Sequence, residues 1–148
     1  MIHKIKFSRR PEYLPTLSQG LIDIIAKRDY PLPEVITAIP LSKQRQRLRG
    51  FNQAGEIAKS ISKQIGIKNL ELIKRVKECP PQSVLKRKER MANVKNAFLY
   101  HSEISYQHVA IVDDVITTGS TVNEAAKLLR KKGFMNIEVW ALAKTPEY

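Results

Sequence analysis

Apolar positions recur along the chain with two different periods, and the two alternate. Leu14, Leu17, Leu21, Ile24 and Ile25 follow the three-and-four spacing of a helix face, which predicts a first helix ending near Lys27 and Arg28. The prolines of PLP at residues 31–33 stop it. Residues 34–40 (EVITAIP) are β-branched and apolar, the composition of a buried strand. The basic stretch that follows, LSKQRQRLRG, carries no apolar period and predicts a loop. Beyond it Phe51, Ala54, Ile57, Ala58, Ile61 and Ile65 trace one face of a second helix, closed by Gly66.

The second half repeats the alternation. Residues 70–73 predict a short strand, and 74–96, dominated by charge and broken by Pro80 and Pro81, predict a segment that is mobile or ordered only by a partner. Residues 97–100 can pair as a strand before the polar turn HSEIS. Residues 109–112 form an unbroken apolar run, the pattern of a central parallel strand covered on both faces. Val122, Ala125, Ala126 and Leu129 make a third helix face, with Thr121 and Glu124 at capping-box spacing and Gly133 placed to end it. Residues 137–143 supply a last strand. Strands alternating with helices predict one α/β domain over residues 1–148, a mainly parallel sheet flanked by helices.

Composition narrows the surroundings. No apolar stretch approaches the roughly 18 residues of a membrane span, so membrane insertion is not expected, and the start MIHKIKFSRR lacks the apolar core of a signal peptide, which predicts a cytoplasmic protein. The lone Cys79 fits a reducing compartment and excludes a cysteine-based zinc cluster, so no zinc is expected in this chain. Its neighbours Glu78 and Pro80 offer no base, and it reads as a bystander. A net charge of +12, from 26 Lys and Arg against 14 Asp and Glu, fits a polyanionic partner, either nucleic acid or a phosphate-rich small molecule, and equally a soluble protein with a basic surface; charge alone does not separate these.

The densest chemistry lies just past the predicted central strand, in VDDVITTGST at residues 112–121. In parallel α/β sheets ligands sit beyond the carboxyl ends of the strands. Gly119 lets backbone approach an anion closely, while Thr117, Thr118, Ser120 and Thr121 bring hydroxyls to the positive start of a helix. Such a turn can hold a phosphomonoester without a lysine. Asp113 and Asp114, consecutive at a strand end, point to different sides unless the chain bends there. Beside a bound anion they suit ribose hydroxyls, a leaving amine or Mg²⁺; otherwise they cap a helix or form surface ion pairs. No Gly-Lys-Ser/Thr occurs anywhere, which excludes a Walker-type nucleotide loop.

This run closely resembles the phosphoribosyl pyrophosphate (PRPP) signature of type I phosphoribosyltransferases. The resemblance implies that Asp113 and Asp114 contact the ribose hydroxyls and that Thr117, Thr118, Gly119, Ser120 and Thr121 wrap the 5-phosphate. A narrower likeness lies in RGFNQ at residues 49–53, after a strand ending in proline, and in the spacing of Gln82, Leu85, Arg90 and Asn93 before Ala97 and Phe98. Both are similar to the ComF family of bacterial competence proteins. That family implies a part in handling incoming single-stranded DNA during natural transformation, with single-stranded DNA and a competence helicase or translocase as partners. Longer ComF-like proteins carry an N-terminal four-cysteine zinc module that is not found here, so the chain either starts late or stems from a lineage without it, and nothing assigned to that module is carried over.

The basic segments take their readings from the same likeness. Lys43, Arg45, Arg47 and Arg49 follow a strand whose loop faces pyrophosphate in phosphoribosyltransferases, and the same charges could line a track for nucleic-acid phosphates or simply be solvated. Phe51 reads as a core anchor of the second helix. Gln82, Lys86, Arg87, Lys88 and Arg90 fall where related enzymes have a flexible loop closing over substrate; a DNA-engaging arm and an ordinary charged helix face are the alternatives. His3, His101 and His108 share no metal-ligand spacing and read as surface residues. Two functions of different class follow. One is a transferase in which a nucleophile attacks C1 of PRPP and pyrophosphate leaves, neutralised by Mg²⁺, with Asp113 and Asp114 as the catalytic pair; the other is a DNA-uptake protein that uses the fold for binding.

Overall fold

The computed structural model describes residues 14–76, 88 and 95–145. Helix α1, Leu14–Ala26, buries Leu14, Ser18, Ile22 and Ile25. The predicted face was slightly misplaced: Ile24 is 72% exposed, because a stripe through Leu14, Ser18, Ile22 and Ile25 turns it outward. Strand β1 is Val35–Ala38. The expected basic loop is instead helix α2, Lys43–Arg49. Ser42 Oγ accepts the Arg45 amide at 3.2 Å to start it, and Gly50, at φ +81°, ends it by donating to the Gln46 carbonyl at 2.8 Å. Lys, Gln, Arg and Leu are strong helix formers, so two caps suffice without any buried residue.

Helix α3, Gln53–Ile65, buries Ala54, Ile57, Ala58 and Ile61 as expected and ends at Gly66. Strand β2 is Lys68–Asn69 and β3 is Ile73–Arg75, so of the strand expected at 70–73 only Ile73 is in a strand, and 70–72 form the link between two strands that flank it. The reason is Thr37. Its buried hydroxyl accepts the Leu72 amide at 3.2 Å, while the Leu70 amide donates to Ile36 at 3.0 Å, and the chain turns off the main sheet between them. Strand β4, Phe98–Tyr100, pairs antiparallel with β3 in a two-stranded ribbon. Strand β5 is His108–Ile116, helix α4 is Ser120–Lys131 and strand β6 is Asn136–Lys144.

The main sheet has the order β2-β1-β5-β6 and every pairing is parallel. Alternation along the strands divides the core in two. Ile36, Ala110, Val112 and Trp140 face α1 and α3; Val35, Val109 and Ile111 face α4 and the β3–β4 ribbon. The chain leaves β1 toward β2 with α3 on one face, and leaves β5 toward β6 with α4 on the other. The carboxyl ends of β1 and β5 are therefore the place where the connections diverge, which is where open α/β sheets keep their ligand crevice.

The opposite end of the sheet is fastened by Glu138. Its carboxylate takes two hydrogen bonds from Arg28, at 3.0 and 2.7 Å, and one from Trp140 Nε1 at 2.9 Å, while His108 Nε2 lies 2.7 Å from Oε1. His108 is thus half-buried and engaged, not the bland surface residue that its spacing suggested; His101 is exposed. Burial alone would push the Glu138 carboxyl up, but Arg28, Trp140 and His108 outweigh it and hold it below the ordinary value of 4.5. The cluster ties the chain after α1 to β5 and β6. Glu138→Gln should cost about 2 kcal/mol, since Arg28 keeps only 6% of its side-chain exposure and would lose its counter-charge. With the folded carboxyl more acidic than the unfolded one, this contribution is present above the unfolded value and fades as pH falls through the folded value. Urea melts from pH 7 to pH 3 should therefore show the gap between wild type and variant shrinking on the acid side.

Candidate functional site

Strand β5 carries the acidic pair beyond its buried run, and the sheet register explains why both side chains reach one place. Val112 is opposite Ala38, the last residue of β1, and the Ile39 amide still donates to the Val112 carbonyl at 2.9 Å. Past that point β5 keeps β6 as a neighbour, through Asp113 opposite Ala141, but loses β1. The Asp114 amide donates to Asp113 Oδ1 and the Val115 amide to Asp114 Oδ1, both at 2.8 Å, so each carboxylate is folded toward the next peptide. Both line one hollow of about 60 Å³.

The rest of that hollow is the turn that follows. Residues 113–121 are all half-buried, which leaves their polar groups accessible. Thr117, Thr118, Gly119, Ser120 and Thr121 all line it. Thr118 Oγ1 and Ser120 Oγ are 2.8 Å apart, and the Ser120 amide leans on Thr118 Oγ1 at 3.4 Å. The capping box expected at Thr121 and Glu124 is absent. Gly119, at φ +79°, is the N-cap of α4, no side chain caps it, and Thr121 already lies inside the helix. Glu124 instead accepts the Asn96 amide at 3.4 Å and a 3.3 Å contact from Lys127. The sequence signal misled because the left-handed glycine starts the helix two residues early. The consequence is chemical, since α4 opens on the hollow with an N-cap residue, Gly119, that brings no side chain of its own.

The basic residues of α2 do not act as one cluster. Arg45 lines the hollow beside Asp113 and Asp114, Lys43 lines a larger neighbouring basin of about 1090 Å³, Arg47 faces outward, and Arg49 donates to Gln53 Oε1 at 3.0 Å. A cation that sequence reasoning missed completes the wall: Arg75, at the end of β3, lines both cavities and stands 5.5 Å from the centre of the Phe98 ring. Only the ribbon topology, not sequence spacing, brings it there. Phe51 packs against the core as expected and also lines the basin. Of the expected flexible loop, Lys88 is described and exposed, whereas Gln82, Lys86, Arg87 and Arg90 lie outside the described residues, as do the family-motif positions Leu85 and Asn93, together with Cys79 and His3. No group of three or more metal-ligating side chains occurs among the described residues, and among them no helix is long and apolar enough to cross a membrane.

What this arrangement can do is hold a phosphate against a hydroxyl-bearing carbon skeleton. The helix start and the Thr/Ser hydroxyls donate to an anion, Arg45 and Arg75 supply positive charge, and two carboxylates accept from neighbouring hydroxyls. Comparison with known proteins identifies the family. The sequence model of the phosphoribosyl transferase domain matches residues 49–148. The chain is 43% identical over 152 residues to Competence protein F of Haemophilus influenzae, covering 97% of this chain and 66% of that protein. It is 37% identical over 150 residues to DNA utilization protein YhgH of Salmonella typhi, covering 98% and 66%. It thus spans just under two thirds of the length of these relatives. Among solved structures it is similar to TT1426 of Thermus thermophilus, with a TM-score of 0.54 at 14% identity over 91% of this chain and 85% of that one. It is also similar to adenine phosphoribosyltransferase of Leishmania tarentolae, with a TM-score of 0.51 at 19% identity over 94% and 58%. These structural likenesses concern the fold.

The glycine geometry yields a test. A Cβ on Gly119 would find its nearest neighbour at 3.8 Å, in ordinary contact, so the only penalty is the left-handed backbone. Gly119→Ala should lower stability by about 1 kcal/mol, read by chemical denaturation, and a loss several times larger would mean that the turn is packed more tightly than the structure has it.

Proposed function

The chain belongs to the phosphoribosyl transferase domain family and within it to the ComF proteins, and from that premise we propose that it binds PRPP or a related phosphoribosyl ligand in the hollow at the end of β5. The observation that carries the reading is the convergence of the acidic pair, the hydroxyl-rich turn and two arginines on one cavity. The 5-phosphate sits on Thr117, Thr118, Gly119, Ser120 and Thr121, where amides at the helix start and hydroxyls donate to it. Asp113 and Asp114 accept from the ribose hydroxyls and hold the sugar in register with the phosphate. Arg45 and Arg75, across the hollow, attend the remaining phosphates.

The donor set suits Mg²⁺. That ion keeps several waters and is held by one or two carboxylates together with substrate phosphates, so the pair Asp113 and Asp114 lining the hollow fits the requirement. It supplies neutralisation of the pyrophosphate charge. In the whole protein we place this ligand site in the service of DNA uptake during natural transformation, in the cytoplasm, with single-stranded DNA and a competence helicase or translocase as partners. The names of the relatives, Competence protein F and DNA utilization protein, support that setting.

Asp113→Asn combined with Asp114→Asn should abolish PRPP binding, in the presence of Mg²⁺, by isothermal titration calorimetry. The same double variant should melt within a degree or two of wild type, because the bonds that Asp113 Oδ1 and Asp114 Oδ1 accept from the next amides are ones that an asparagine oxygen can keep. Undiminished PRPP affinity in a folded variant would remove the acidic pair from the site.

A further inference from the structure

The two sides of the hollow are held in different ways. The acidic pair and the hydroxyl-rich turn belong to β5 and the start of α4, which are built into the main sheet and one of its covering helices. Arg75, across the hollow, stands on β3, which pairs with β4 in a separate ribbon. Its place therefore depends on where that ribbon begins. The Leu70 amide still bonds to the main sheet, 3.0 Å from the Ile36 carbonyl, and two residues on the Leu72 amide reaches the side chain of the next β1 residue, Thr37 Oγ1, at 3.2 Å. The same amide leans on the Leu70 carbonyl at 3.1 Å. The Leu72 carbonyl then accepts the His101 amide at 2.7 Å, and pairing with β4 follows. Thr37 is fully buried, on the face of β1 where Val35 and Ile39 join the apolar core. Valine would fill the same space, and a buried hydroxyl costs free energy unless it is hydrogen-bonded, so packing alone does not call for threonine here.

We propose that Thr37 is a positioning residue for the diphosphate end of the ligand: by holding the Leu72 amide it sets the start of β3 and, through it, the guanidinium of Arg75. The proposal rests on the phosphoribosyl reading above. Arg75 lies three residues past the bond, about 10 Å along an extended strand that has no slack to absorb a shift. Phe98 is opposite Arg75 in the ribbon, so the contact between the guanidinium and that ring moves with the ribbon and does not resist the shift. The other side of the hollow stays in place, because Thr37 meets Ile111 of β5 through backbone pairing that a side-chain substitution leaves intact. An arginine recognises phosphate through a fixed fork whose hydrogen bonds weaken steeply with misalignment, so a small displacement is felt at the phosphate. The two ends of the ligand are thereby separable. The 5-phosphate and ribose are held by β5 and α4, and the grip on the diphosphate is set from inside the core.

The test is calorimetric titration of the full chain with PRPP, inorganic pyrophosphate and ribose 5-phosphate, each with Mg²⁺. Thr37→Val keeps the volume and leaves the Leu72 amide its contact with the Leu70 carbonyl, so the variant should fold. It should bind ribose 5-phosphate as wild type does, and PRPP and pyrophosphate about tenfold more weakly, the scale of one charge-assisted hydrogen bond. Thr37→Ser, which keeps the hydroxyl, should restore both. Added to Arg75→Gln, Thr37→Val should cost nothing further, because the group it positions is already gone. Should the valine variant not fold, Thr37→Cys, with a weaker acceptor in the same place, should show the same pattern with a smaller loss. Undiminished pyrophosphate and PRPP affinity in a folded variant overturns the proposal, as does an equal loss for ribose 5-phosphate, a failure of serine to restore, or a full further loss on top of Arg75→Gln. A wild type that takes pyrophosphate but no ribose 5-phosphate, with the valine variant still losing pyrophosphate, would sink the phosphoribosyl reading and leave the role of Thr37 standing. A wild type that takes none of these ligands overturns both.

Discussion

The pairing of β1 with β5 is the constraint on which the remaining structure depends. Four residue pairs join them, from Val35 opposite Val109 to Ala38 opposite Val112, and all eight residues belong to strands whose side chains fill both halves of the core. Because α3 and α4 then depart to opposite faces, the carboxyl ends of these two strands lie between the diverging connections. β5 runs four residues beyond its last pair with β1, and that overhang carries Asp113 and Asp114. A break in this pairing would cost the core and disperse the site together, so stability and ligand geometry are not separable here.

Charge is distributed by helix geometry rather than by local density. Lys43, Arg45, Arg47 and Arg49 alternate in the sequence as a strand or a loop would present them, but on α2 each two-residue step turns the side chain by about 200°. Arg45 and Lys43 therefore line different cavities, Arg47 returns exposed to the Lys43 side, where the two line a shared hollow, and Arg49 is tied to Gln53. The opposite end of the sheet treats charge differently. There Arg28 and Glu138 are enclosed and fully engaged, which fastens the chain after α1 without contributing to the ligand end.

Much of this was legible in the sequence where one physical rule dominated. The apolar run at residues 109–112 has no other use than a strand covered on both faces, and the face through Ala54, Ile57, Ala58 and Ile61 can only be an amphipathic helix. The hydroxyl-rich turn was legible because its residue types have few other reasons to occur together. Helix α2 was hidden because it buries nothing, so its caps were its sole signal. The strand break after Asn69 was hidden because it depends on Thr37, more than thirty residues away in the chain. Arg75 was hidden for the same reason: its place at the site follows from the β3–β4 ribbon, a tertiary pairing with no local signature.

If the overhang of β5 and the start of α4 form one phosphoribosyl site, titration of ¹⁵N-labelled protein with ribose 5-phosphate should give saturable backbone amide shifts concentrated at residues 113–121, with smaller changes at Arg45 and Arg75, and none at His108 or Glu138 on the far end of the sheet. Shifts centred on the far end, or spread over the surface lysines with no saturation, would contradict it.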